Sequence, residues 1–134
     1  MSYGAKKYKN TAVKTASKEK ILLMLYEAAI KYIKLAKKAT EENRISDKCN
    51  YITKTHDIIS ELSATLDHSQ GPEVAEQLES LYSFCVNHLI KANMDNNVEA
   101  LDSVQKVMTT LHEGWVAAVD EIKNNEEGST RENN

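Results

Sequence analysis

The run Ser17 to Ala39, SKEKILLMLYEAAIKYIKLAKKA, constrains this chain more than any other stretch. Wound at 100° per residue, its polar side chains Lys20, Glu27, Lys31, Lys34 and Lys38 fall into one narrow sector. The rest of the circumference is apolar, from Ile21, Leu22, Leu25 and Tyr26 through Ala29, Tyr32 and Ile33 to Leu35 and Ala36, with Leu23, Met24 and Ile30 on the borders of the polar sector. A surface helix needs an apolar stripe of little more than ~100°. This one has to be covered from several sides, as the central helix of a bundle or as a helix whose surplus surface receives a partner.

The 134 residues suit a single domain with one core. A hydrophobic share of 41% with one Pro and four Gly leaves few turn signals, so the expected fold class is all-α. No apolar run approaches the ~18 residues of a membrane span, and the N-terminus lacks the apolar centre of a secretory signal. The expectation is therefore a cytoplasmic protein with no membrane insertion. A formal charge of −3 gives no global attraction to nucleic acid or anionic lipid. Lys6, Lys7, Lys9, Lys14, Lys18 and Lys20 do form a local basic run, opposed by Glu19 alone. Bidentate phosphate and guanine contacts come from arginine, however, and the arginines here are Arg44 and Arg131. No nucleic-acid partner is expected. Cys49 and Cys85 fall on expected buried faces and read as reduced core residues.

Residues 1–16 have no sustained period and read as a mobile, extended N-terminal arm. Ser17 can cap the first helix, and Glu19 in its first turn favours the positive end of the dipole. Glu41 to Arg44 form the first connection, after which Ser46 or Asp47 can cap a second helix running to about Leu66. Its seam is Cys49, Ile52, His56, Ile59, Ser63 and Leu66, widened by Ile58 and Leu62. After the loop Asp67 to Gly71, Pro72 suits the first position of a third helix, with Val74, Leu78, Leu81, Tyr82, Cys85 and Leu89 on one face. That helix ends near Met94. Asn97 caps a fourth, whose inner face runs through Val98, Leu101, Val104, Met108, Leu111, Trp115, Val119 and Ile122. Short connections between long helices make neighbours antiparallel, so residues 17–123 should form an antiparallel four-helix bundle. The tail 124–134, NNEEGSTRENN, has no apolar residue to bury and reads as disordered.

Catalytic and metal motifs fail in turn. None of the four His follows a Glu by three residues, which removes the di-metal carboxylate bundle. Cys85 and His88 stand i, i+3, but a closed zinc site also requires Cys49 and His56 to converge on them. Ser17 and Lys20 match a Ser-x-x-Lys string without its companion motifs, and no glycine-rich phosphate loop occurs. The chain reads as no enzyme, with no cofactor and no metal. What remains is surplus apolar surface: Leu23, Met24 and Ile30 on the first helix, Phe84 among Gln77, Ser80 and Lys91 on the third, and Ile90 on its opposite flank. Each alone is equally compatible with boundary packing. Together they describe a hydrophobic groove that takes an amphipathic segment. A generic helical adaptor for some amphipathic segment and a small metal-binding bundle are the rival readings.

The passage from Tyr8 through Thr15-Ala16-Ser17, Glu19-Lys20 and Met24-Leu25-Tyr26 resembles the signature of the FliS-type flagellin export chaperones. The stretches Ile59-Ser60-Glu61-Leu62 to Leu66-Asp67 and Leu81-Tyr82-Ser83-Phe84 are similar to later family passages, in the same order. The likeness spans about residues 8–120. It departs where Lys18 replaces Pro and where Glu27-Ala28 replaces Asp-Gly. The resemblance implies a cytoplasmic chaperone that binds the disordered C-terminal segment of flagellin, prevents premature polymerisation and delivers it to the flagellar type III export gate, as a monomer or weak dimer. It places Tyr8 in an arm that can cover an empty client groove. With Leu23, Met24, Tyr26, Ile30 and Phe84, it makes up the expected client-binding set.

Overall fold

Ser17 opens the first helix as its chemistry dictates: its backbone is extended, and its hydroxyl accepts the Lys20 N–H at 3.2 Å. The computed structural model describes residues 17–69 and 71–132. Four helices make it up: α1 (Lys18–Glu41), α2 (Ile45–Ala64), α3 (Pro72–Asp95) and α4 (Val98–Glu132). Asn43 closes α1 in the left-handed region at φ 57°, which lets the Arg44 N–H reach the Ala39 carbonyl at 2.8 Å and the Asn43 N–H reach Thr40 at 3.2 Å. This is a Schellman closure with Asn in the place Gly usually takes. Arg44 then already stands at the N-cap of α2, so Ser46 and Asp47 fall inside the first turn instead of capping it. The Asp47 carboxylate is drawn to Arg44 Nη1 at 2.6 Å. Pro72 starts α3 as expected, and Asn97 caps α4 by accepting the Ala100 N–H at 3.1 Å.

Each helix packs on its neighbours in sequence and α4 returns to α1, giving a closed square in which the diagonal helices do not meet at the backbone. A side-chain hydrogen bond crosses that square. The hydroxyls of Tyr26 on α1 and Tyr82 on α3 hydrogen-bond to each other in the centre, both buried. Around them pack Ile33, Ile59, Leu62, Leu89, Leu101, Val104 and Met108. On the flank where α1 meets α2, Tyr32 stacks on Tyr51 at 6.2 Å with the Lys54 ammonium over both rings. This accounts for an aromatic so far from the centre of the α1 stripe.

The inner edge of α2 is turned relative to the expected seam. Lys48, Ile52, Thr55, Ile59 and Leu62 are buried, whereas His56 is exposed and Cys49 is half-buried, its thiol donating to Asn93 Oδ1 at 3.2 Å. Two polar residues thus stand where only apolar ones would be sought. Thr55 returns its hydroxyl to the Tyr51 carbonyl at 2.9 Å. Lys48 sends its ammonium to the Asn93 carbonyl at 3.0 Å and to Asn96 Oδ1 at 2.5 Å, at the negative end of α3. On α3 the buried position at the start is Ala75, and Val74 is exposed. The helical backbone of α4 continues through residues 124–132, where composition predicts no regular structure. Every described side chain from 121 to 128 is exposed, so this extension rests on propagation from an existing helix rather than on packing.

Candidate functional site

The bundle leaves a groove between α2 and α3. It is floored by Ile59, Tyr82 and Val86, rimmed by Ser60, Ser63, Ser83 and Asn87, and encloses about 310 Å³. Its lining carries no charged side chain. On α3, Val86, Ile90 and Met94 recur every four residues, so they share one side of the helix and prolong the groove toward the end marked by the Cys49–Asn93 contact. Ile90 is 51% exposed and Met94 77%, and Ile45 at the start of α2 is 51% exposed. An apolar floor with small hydroxyls on its edge suits the apolar side of an uncharged or amphipathic helix, which can approach closely where the lining side chains are short.

The expected client-binding residues do not converge. Tyr26 is a correction: at 0% exposed it belongs to the core, fixed by Tyr82 and by the Trp115 indole, and no partner can reach it. Ile30 packs against the core, and Leu23 and Met24 are half-buried on α1. Phe84 is 40% exposed on α3, with its ring tilted on the His88 ring at 3.9 Å and its carbonyl hydrogen-bonded to His88 Nδ1 at 2.9 Å. Helices α1 and α3 form a diagonal of the square, so these two groups of residues do not build one groove. Tyr8 lies outside the described residues. The row Val86–Ile90–Met94 was only partly visible in sequence. Ile90 stood out, but the four-residue recurrence that carries Met94 and Val86 with it was the missed signal.

Among the described residues the interior offers no poised acid or base. Burial pushes the Tyr26 and Tyr82 hydroxyls above their usual range. The hydrogen bond with Tyr26 raises Tyr82 further, while those with Tyr82 and Trp115 partly offset the rise at Tyr26. Burial alone pushes the Cys85 thiol up to about 12. All three are neutral and unreactive at neutral pH. Among the described residues no group of three His, Cys, Asp or Glu side chains is placed to hold a metal ion, and no helix is long and apolar enough to cross a membrane.

The family model for flagellar protein FliS matches residues 1–122 of the 134. The chain belongs to the FliS family. Within it, the "Flagellar secretion chaperone FliS" of Campylobacter jejuni is 32% identical over 126 residues, covering 94% of either chain. The protein of the same name from Bacillus subtilis is 29% identical over 122 residues, covering 91% of this chain and 90% of its own. A solved crystal structure of a flagellar chaperone from bacteria shares the fold with a TM-score of 0.74 at 16% identity, over 88% of this chain and 98% of that one. The FliS relatives are named as chaperones, and this chain stands with them as a chaperone and not as an enzyme.

Proposed function

We propose that the chain is a cytoplasmic export chaperone for flagellin. It binds the disordered C-terminal segment of the client, prevents its premature polymerisation, and delivers it to the flagellar type III export apparatus. The family supports the flagellar and secretory part of this reading. One observation supports the binding part: the uncharged α2–α3 groove runs on into the exposed row Ile90 and Met94. A disordered client pays several kcal/mol to become ordered on binding. A groove extended by an apolar row can repay that cost, and an isolated pocket cannot. The client helix lies along α3 with its apolar side on Val86, Ile90 and Met94, while Phe84 contributes from the other flank. Masking an aggregation-prone segment requires surface and no reaction.

Calorimetric titration tests the reading with flagellin and with flagellin lacking its C-terminal segment. Binding to the first and none to the second is expected. Equal binding to both would mean that another segment is the client.

A further inference from the structure

The formal charge of −3 conceals a separation of sign across the square. Helix α1 carries Lys18, Lys20, Lys31, Lys34, Lys37 and Lys38 against Glu19, Glu27 and Glu41. On the diagonal from it, α3 carries Glu73, Glu76, Glu79 and Asp95 against Lys91 alone. Between positions 120 and 127, α4 adds Asp120, Glu121, Glu126 and Glu127 against Lys123. The molecule therefore has a basic edge and an acidic edge, and its net charge describes neither. The basic edge is a straight ridge. Lys20, Lys31, Lys34 and Lys38 share the outer side of α1, all exposed, over about 27 Å of helix. Among the described residues, Lys31, Lys34 and Lys38 have no carboxylate within salt-bridge distance. Glu27, the acidic residue in the same sector, is engaged by His112 Nε2 at 3.3 Å.

The form of this ridge decides what it meets. Lysines are compact, hydrated charges on flexible stems, and no arginine stands among them to grip a carboxylate with two parallel hydrogen bonds. Arg44 lies beyond the end of α1 and is held by Glu42 and Asp47. The apolar neighbours Leu23, Met24 and Ile30 are half-buried in the bundle, so the ridge lacks the protruding anchor on which a protein interface centres. A convex line of unpaired lysines matches instead a surface whose own charges can move to meet it. We propose that α1 rests reversibly on an anionic lipid surface through Lys31, Lys34 and Lys38, with the acidic α3 turned toward the solution. Each lysine close to such a surface adds a small attraction, which salt screens over a Debye length. The chain then lies on the membrane without inserting. The α2–α3 groove, on a side of the square that α1 does not form, stays open.

Co-sedimentation of the full chain at low salt with vesicles of equal parts phosphatidylglycerol and phosphatidylcholine tests the contact without any client. Binding to them, none to vesicles of phosphatidylcholine alone, and release by added salt are expected. Lys31→Glu, Lys34→Glu and Lys38→Glu together should lower the partition coefficient roughly tenfold or more. Lys91→Glu, Lys106→Glu and Lys123→Glu together change the net charge equally and should lower it by less than about threefold. Equal losses in the two triple variants would mean that net charge alone acts, and would overturn the proposal. Binding unmoved by the α1 reversals would overturn it too, by assigning the contact to Lys6, Lys7, Lys9 and Lys14. A chain that ignores the vesicles yet binds polyglutamate through Lys31, Lys34 and Lys38 would put an acidic protein in place of the lipid.

Discussion

The two sides of α3 are both apolar, and they do different work. Leu78, Tyr82, Cys85 and Leu89 face inward into the core, while Ile90 and Met94 meet water. Both rows repeat at helical spacing, so hydrophobicity alone does not separate them. What separates them is whether a second element closes over the row. The inner row converts burial into stability, about 1.5 to 3 kcal/mol for each large side chain. The outer row holds the same free energy unspent until a partner arrives.

The largest effect should come from the inner side. Leu89→Ala removes a fully buried side chain and should cost about 2 to 5 kcal/mol of stability in denaturant melts; a loss of a few tenths would erase the distinction between the two rows. Next comes the pair at the centre. Tyr82→Phe leaves the Tyr26 hydroxyl without its Tyr82 partner and should cost about 1 to 3 kcal/mol, whereas the double change with Tyr26→Phe should cost less than the sum of the two singles. The same buried groups set an alkaline limit. Their folded pKa values are raised, so the unfolded chain ionises first, the thiol near 9.0 and the phenols near 10.0. The stability they contribute is complete below those values and falls as pH rises above them, which melts taken from pH 8 upward would register.

The outer side should respond the opposite way. Ile90→Asp and Met94→Asp should each weaken flagellin binding by about 1 to 2 kcal/mol while leaving stability within roughly 0.5 kcal/mol. Matched losses of stability would mean that these positions are structural after all. Ile30→Ser sharpens the contrast, because its side chain packs on the core and should lose stability first. The smallest effect concerns Gly114, which has no positive φ and nothing within 4 Å of an added Cβ. Gly114→Ala should stabilise α4 by about 0.5 to 1 kcal/mol, visible as a small rise in melting temperature.

Much of the architecture was legible locally because caps are local chemistry. Ser17, Pro72 and Asn97 mark helix starts by residue type alone, and the fourth helix showed its inner face by period. The rotation of α2 was not legible, because Lys48 is buried on account of a carbonyl 45 residues away, and nothing near it in sequence announces that partner. Tyr26 was misplaced for a related reason. A tyrosine on an apolar arc fits a groove or a core equally well, and what decides is Tyr82, 56 residues later. Phe84 was readable as outward because Gln77, Ser80 and Lys91 stand around it, and Ile90 because it lies off the face of Leu78, Cys85 and Leu89.

Asn96 turns the chain between α3 and α4 with φ at 53° and at the same time offers its amide oxygen to Lys48. Glycine would adopt that bend with less strain, yet it would leave the lysine short of a ligand. The corner is therefore chosen for what it holds and not for how easily it bends. An error in pairing α2 with the far end of α3 would strand an ammonium in the interior, so this single residue acts as a proofreading contact for the topology of the whole square.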